Sequence, residues 1–333
     1  MLYVIPIESY NRRYSGLWNQ WFPIRLRELG VPHVFVWPPP ELSVPELGNA
    51  DVLDVFATHR VKSSQLDHLV RLLSERKIRD GDVLLFHTLW FSGLDSLLYI
   101  RKAAGIDFRI TGVLHAGAYD PWDFRTRLHM DDWARPVEKG WFLGVDRIFV
   151  ASNFHKKLII SYVGIPSEKI FVTRLPFYSA EVAAATSAVK KEPKIAYPHR
   201  LVPEKTPETI DVLLREFGKE SVVVTRQLTR TRQEYYDLLA TCAVTVSNSR
   251  QETFGYSMLE AAALGSTPVV PRRLCYPEMY PEEFLFNDED DMINKVAKFI
   301  EKPMDPRPHL LDLFRECEKS IDRMVDLALN RSQ

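Results

Sequence analysis

Ten short runs of β-branched and apolar residues recur along the chain with helical patterns between them, and this rhythm constrains the fold more than any other feature. In the first half they fall at residues 2–7, 34–37, 83–86, 109–114, 147–151 and 170–173, and in the second at 194–197, 222–225, 244–247 and 267–270. Most are apolar throughout instead of alternating, as strands buried on both faces of a parallel sheet must be. Strand and helix repeated at this spacing predict an α/β protein with helices on both faces of its sheets. Two such series in 333 residues predict two doubly wound, Rossmann-like domains.

The boundary between the two series is readable. Residues 180–191, AEVAAATSAVKK, are small, polar and charged and are followed by Pro193, so they read as an interdomain segment. The expected domains are residues 1–180 and residues 192–303. A second break, KPMDPRP at residues 302–308, holds three prolines. After it Leu310, Leu313, Phe314, Ile321, Val325 and Leu329 fall at helical spacing, which predicts one amphipathic helix over residues 309–329.

Composition narrows the function classes. The chain carries 43 Lys+Arg against 44 Asp+Glu, with 46% hydrophobic and 26% charged residues. That mix excludes a disordered chain, a collagen-like repeat and a strongly basic DNA-coating protein. No apolar run approaches the roughly 20 residues a bilayer-crossing helix needs, so no membrane partner is expected. The opening MLYVIPIESYNRRY lacks the charged and apolar regions of a signal peptide. Cys242, Cys275 and Cys317 lie far apart, which argues against a disulfide scaffold or a zinc knuckle and for a reducing, cytoplasmic compartment. The averages hide two asymmetries. All seven tryptophans lie within the first 141 residues, and residues 278–333 carry a net charge of −6 while the rest carries +5.

The stretch that carries chemistry is residues 244–271, VTVSNSRQETFGYSMLEAAALGSTPVVP. A buried strand leads into a polar loop, Phe254 and Gly255 open a helix, and a second buried strand follows. A helix that starts beyond a strand's carboxyl end offers unpaired N–H groups and a positive dipole end, which together attract an anion. Gly255 lets a ligand approach the backbone. Glu252 in the loop can reach a sugar hydroxyl, and Glu260 in the helix can accept from a ribose diol.

This pattern, E-T-F-G-x-x-x-L-E-A-x-x-x-G-x-x-P-V-V, resembles the donor-binding signature of the retaining glycosyltransferases of family 4. The resemblance implies the glycosyltransferase-B fold, in which two Rossmann-like domains face a cleft. It implies that Glu252 contacts the transferred sugar, that the amides of Thr253, Phe254 and Gly255 hold the distal phosphate, and that Glu260 binds the ribose. A second segment, KIAYPHRLVPEKTPE at residues 194–208, resembles the strand and loop whose Arg and Lys neutralise the diphosphate, here Arg200 and Lys205. Residues Arg226 to Leu228, at the end of the next strand, fall where the family surrounds the nucleobase with backbone contacts. The family's C-terminal helix crosses back to complete the N-terminal domain, here residues 309–330. The co-substrate implied is a UDP- or GDP-linked sugar, with no other cofactor and no metal. The leaving phosphate then helps deprotonate the acceptor, which removes the need for a strong enzymic base.

The N-terminal half is where such a family binds its acceptor. Ser15 and Gly16, in RRYSGLWNQWF, fall in the expected loop after the first strand, where the family places small residues beside the donor phosphates. The family's glycine pair is reduced here to one glycine. Arg12 and Arg13 could meet a phosphate. His87 and His115 each follow an expected strand, where ligands gather in open α/β sheets. His115 resembles the family's histidine near the transferred sugar, and Asp120 could orient the acceptor hydroxyl or act as a base. A histidine at a strand end also serves structure alone. Trp18, Trp21, Trp90 and Trp122 lie near the same loops and could stack on a base or a sugar, or fill the core.

Two narrower likenesses point to an acceptor on a nucleic-acid base. The segment from SNSRQETFGYSMLEAAALG to CYPEMYPEEFLF resembles tRNA-queuosine mannosyltransferases. The opening YVIPIESYNRRYSGLWNQWF resembles bacteriophage glycosyltransferases that decorate hydroxymethylated DNA bases. Four alternatives stay open: a glycosyltransferase whose acceptor is a glycan or a small molecule; a metal-dependent transferase using Asp288, Glu289 and Asp290, for which a helix N-cap is the plainer reading; a sugar epimerase; and a non-catalytic nucleic-acid or sugar-binding protein on the same fold.

Overall fold

The computed structural model of the chain describes residues 1–10, 13–42, 54–187 and 190–331. Arg12 lies outside them. The chain forms two units: one holds the chain up to Pro176 and regains it from Lys319, and the other holds Phe177–Glu318.

The first unit is built on six parallel strands, β1 (Leu2–Ile5), β2 (His33–Phe35), β3 (Val83–Phe86), β4 (Arg109–Val113), β5 (Arg147–Val150) and β6 (Ile170–Val172). Their spatial order is β2-β1-β3-β4-β5-β6. β1 and β3 are buried at all four positions, which is why their sequences are apolar without alternation. Strand order reverses at β1, with β2 on one side and β3 on the other, so the carboxyl ends of β1 and β3 bound a crevice. Helix Tyr14–Glu28 packs against helix Ser320–Leu329 within this unit. A two-pronged ion pair fastens them: Arg25 Nε and Nη2 donate to the two oxygens of Asp322, each at 2.7 Å.

The second unit has five parallel strands, β7 (Glu192–Tyr197), β8 (Val222–Val224), β9 (Cys242–Val246), β10 (Thr267–Pro271) and β11 (Leu285–Phe286), in the order β11-β10-β9-β7-β8. Here the order reverses at β7, between β8 and β9.

Two expectations change. The segment read as a spacer at residues 180–191 begins within a helix, Ser179–Ala184, because AEVAAA is rich in the strongest helix former and holds no glycine or proline. The single helix expected over residues 309–329 is two, Leu311–Glu318 and Ser320–Leu329, broken at Lys319. The first piece belongs to the second unit and the other to the first. Each piece presents its own apolar stripe to its own core, so the spacing runs through the break without marking it. Among the described residues no helix is long and apolar enough to cross a membrane.

Candidate functional site

In the second unit, the chain leaves β7 through His199 and Arg200 to Lys205, and leaves β9 through Asn248 to Glu252. Both loops lie at carboxyl ends of strands flanking the reversal, the usual ligand position in an open α/β sheet. Backbone hydrogen bonds lock them together. The N–H groups of Arg250 and Gln251 donate to Glu204 O at 2.9 and 3.3 Å. Lys205 Nζ donates to Gln251 O at 2.7 Å, and Tyr197 Oη donates to Lys205 O at 2.5 Å. Thr206, the next residue, holds φ at 56°, a left-handed conformation that costs a β-branched residue about 1–3 kcal/mol and persists only where its surroundings impose it.

Lys205 Nζ also stands 2.9 Å from Glu252 Oε2. The other oxygen of that carboxylate accepts from the N–H groups of Thr253 (3.2 Å), Phe254 (3.4 Å) and Gly255 (3.0 Å). Helix Tyr256–Ala263 starts immediately after. Gly255 turns at φ 82°, and a Cβ there would meet the Tyr276 ring at 3.3 Å. Buried Tyr276 shares a hydrogen bond with Ser247 Oγ at 2.8 Å and so supports the loop from below. Converging amides, a helix N-terminus and an ammonium group make an anion seat. Glu252 sits in it: burial pushes its carboxyl up, but Lys205 and the amides outweigh that and hold it below its ordinary value.

Glu260 lies on the same helix, buried, and accepts from Tyr235 Oη at 3.3 Å, Tyr236 Oη at 3.2 Å and Arg232 Nη1 at 3.4 Å. Burial raises its carboxyl, opposed by Arg232, the two tyrosines and Arg226. Arg200 reaches Glu204 at 3.5 Å. Arg226 and Leu228 are on a helical turn, Thr225–Leu228, and not on a strand end as expected; Leu228 is exposed there. Phe254 contributes its amide, since its ring is buried. The sequence reading passed over His199, which directly follows the β7 loop entry. It is buried, its Nδ1 lies 3.4 Å from Ser257 Oγ, and its Nε2 finds no partner among the described residues. Burial first, then Lys205, push its pKa down to about 3.

The first unit carries a cavity of about 170 Å³ at the carboxyl ends of β1, β3 and β4. Ser15 and His115 line it beside Glu8, Lys62 and Trp90. His115 Nε2 donates to His87 O at 2.7 Å, because the carbonyl can only accept. Burial lowers its pKa to about 4, so the ring is neutral and Nδ1 is its acceptor nitrogen. His87 is a core residue: it is fully buried against Phe22, ring centroids 4.1 Å apart, and neither ring nitrogen has a partner among the described residues. Ser15 and Gly16, expected in a loop, lie in the first turn of helix Tyr14–Glu28. Ser15 is buried and accepts from Tyr10 N–H at 3.4 Å, while Gly16 is not part of the cavity wall. Asp120 is buried, accepts from Trp122 N–H at 2.9 Å to close a turn, and does not line the cavity with His115. Trp18 and Trp21 are buried core residues. Asp288 caps helix Glu289–Glu301, accepting from Asp291 N–H at 2.9 Å.

No family model matches the chain. The tRNA-queuosine alpha-mannosyltransferase of Drosophila melanogaster is 40% identical over 72 residues, which are 22% of this chain and 19% of that protein, so the match spans about a fifth of the relative's length. Three solved structures align over nearly the whole chain. The alpha,alpha-trehalose 6-phosphate synthase of Burkholderia multivorans is 12% identical with a TM-score of 0.65, over 99% of this chain and 98% of that one. The sucrose-phosphate synthase of Thermosynechococcus elongatus is 14% identical with a TM-score of 0.62, over 98% and 96%. Anabaena HepE, solved with UDP and glucose, is 12% identical with a TM-score of 0.61, over 99% of both. At these identities the likeness is one of fold, and the chain has the fold of these proteins, two parallel-sheet α/β domains of the glycosyltransferase-B type.

Proposed function

We propose that the protein is a retaining glycosyltransferase that moves a sugar from a nucleoside-diphosphate sugar to an acceptor hydroxyl. The observation that carries this reading is the anion seat built by Lys205 and the amides of Thr253, Phe254 and Gly255 at the strand-order reversal of the second unit. A diphosphate brings more charge and more acceptor oxygens to that seat than the single carboxylate now in it. Its entry turns Glu252 out toward the sugar hydroxyls. Arg200 and Lys205 neutralise the departing nucleoside diphosphate, the charge compensation that a metal ion supplies in other enzymes. Glu260 takes the ribose hydroxyls, and the turn at Arg226–Leu228 borders the base.

On the first unit, His115 is assigned to the transferred sugar and Ser15, with Gly16 behind it, to the donor phosphates. UDP is the favoured nucleotide, since HepE was solved with UDP and the Burkholderia synthases include UDP-forming enzymes; GDP is the alternative. The narrower acceptor, a hydroxyl on a modified nucleic-acid base, is supported by sequence likeness: the match to the tRNA-queuosine mannosyltransferase for tRNA, and the opening segment for hydroxymethylated phage-type DNA.

Calorimetry with UDP and GDP tests the reading. Lys205→Ala and Glu260→Ala should each weaken nucleotide binding by roughly tenfold or more, the size of a charge-assisted hydrogen bond. Unchanged affinity in both variants would remove the nucleotide-sugar site. Mass spectrometry of tRNA and hydroxymethylated DNA incubated with sugars linked to the tighter-binding nucleotide tests the narrower acceptor.

A further inference from the structure

A second cavity, of about 460 Å³, opens in the second unit beside Lys191, Ala240, Leu264 and Gly265. These residues come just before β7, β9 and β10, whereas the loops around Glu252 follow strands of the same sheet, so the cavity and Glu252 lie at opposite edges of it. Lys191 Nζ donates to Ala240 O at 2.7 Å and to Leu264 O at 2.8 Å. Ala240 lies in the last turn of helix Arg232–Thr241, and Leu264 is the C-cap of helix Tyr256–Ala263. Both carbonyls are therefore among those a helix leaves unpaired at its C-terminus. One side chain satisfies two helix ends, where the helix dipoles also favour a cation.

These two helices build the setting of Glu260. Tyr236 stands one helical turn before Ala240, and Glu260 one turn before Leu264. Tyr236 Oη donates to Glu260 Oε1 at 3.2 Å, and Leu264 N–H donates to Glu260 O at 3.0 Å. The helices are thus joined by two rungs one turn apart, Lys191 at their ends and the Tyr236–Glu260 bond inward of it. The space beside the outer rung is the cavity, so close packing does not hold the helix ends there and the lysine does. Burial pushes the Lys191 amine down to about 8. Charged or neutral, the amine keeps at least the two N–H groups the bridge uses, so the bridge survives titration.

We infer that Lys191 is a positioning residue for the ribose contact: it fixes the register of the two helices so that the Glu260 carboxylate and the Tyr236 hydroxyl meet where a ribose diol binds. The ribose half of this inference rests on the glycosyltransferase reading, whereas the register half does not.

Lys191→Met keeps much of the stem and removes the donors; Lys191→Arg restores donors. In calorimetry with UDP and 2′-deoxy-UDP, Lys191→Met should lose about fivefold or more of the wild-type preference for UDP, and Lys191→Arg should keep most of it. Asp288→Ala is the control, since it uncaps helix Glu289–Glu301 in the same unit without removing a bond to the Glu260 network. It should lose stability in urea and leave the ratio unmoved. A wild-type ratio in Lys191→Met overturns the inference and leaves the lysine a helix cap, as does an equal fall in Asp288→Ala. Should Lys191→Met fold poorly, amide hydrogen exchange of the wild type decides: UDP should slow the Leu264 amide more than 2′-deoxy-UDP does, and equal protection overturns the inference. No UDP binding by the wild type would sink the glycosyltransferase reading. The register then stands or falls on exchange of the last-turn amides of both helices, which should be about tenfold or more faster in Lys191→Met and would refute the bridge if unchanged.

Discussion

Lys205 Nζ lies 2.9 Å from one oxygen of Glu252, while the other oxygen gathers three successive backbone amides at 3.0–3.4 Å. The carboxylate thus occupies the anion seat that the proposed function gives to a donor phosphate. On that reading it is an internal competitor that phosphate binding would displace toward the sugar. Glu252→Gln should therefore keep or tighten UDP binding by a few-fold, because a neutral amide competes less well for the amides and Lys205. Turnover of the nucleotide sugar should fall by orders of magnitude in the same variant. Calorimetry with UDP beside a transfer or hydrolysis assay checks both halves, and a loss of UDP affinity as large as that of Lys205→Ala would refute the competitor role.

Gly255 answers to two constraints, a left-handed φ of 82° and a Tyr276 ring 3.3 Å from where a Cβ would be. Gly255→Ala should cost about 1–2 kcal/mol of stability from the backbone alone and weaken UDP binding by distorting the amide that makes the shortest of the three contacts to Glu252. Chemical denaturation and calorimetry give the two numbers. A variant with wild-type stability and affinity would mean that the loop tolerates the change and that the amide geometry is not critical.

The strands and the strand-loop-helix around Glu252 were legible because their signals are local. A run such as VLLF at β3 can only be a strand buried on both faces, and Glu252, Gly255 and Glu260 fall within one strand-loop-helix. The cavity of the first unit was not legible. Glu8 and Lys62 are far apart in sequence and meet only because β1 and the helix Val55–Ser74 pack in one unit. His199 was missed because a histidine beside an arginine carries no signature until burial strips its partners away. Ser15 and Gly16 were misplaced because a helix beginning at Tyr14 has no side-chain cap to announce it. The break at Lys319 escaped because helical periodicity reports faces, not continuity.

Glu260 accepts from two tyrosine hydroxyls and Arg232 in a buried setting, so it is a fixed acceptor that a ribose diol can engage. A site built to bond a hydroxyl discriminates strongly against an analogue that lacks it. The wild type should prefer UDP to its 2′-deoxy analogue, and Glu260→Gln should lose most of that preference, with both nucleotides bound weakly. Competition calorimetry measures the ratio. A ratio unchanged by the substitution would move the ribose contact elsewhere.

Three buried histidines, His87, His155 and His199, and the half-buried His115 make the fold sensitive to acid. Burial lowers His87, His155 and His199 from an ordinary 6.5 to about 3, and His115 to about 4. Between pH 6.5 and about 4 the unfolded chain therefore binds protons that the native state refuses, so stability rises with pH across this window and is lost as pH falls through it. Each histidine contributes up to about 1.4 kcal/mol per pH unit to that slope. His155 is the cleanest to remove, because it lies outside both candidate sites and, among the described residues, its Nε2 meets only Tyr119 Oη, at 2.6 Å. His155→Gln can keep a hydrogen bond there without titrating. Urea unfolding at a series of pH values should show the variant losing stability less steeply than the wild type, with the carboxylates common to both cancelling in the difference. Parallel curves would mean that His155 is protonated alike in the folded and unfolded chain, contrary to its burial.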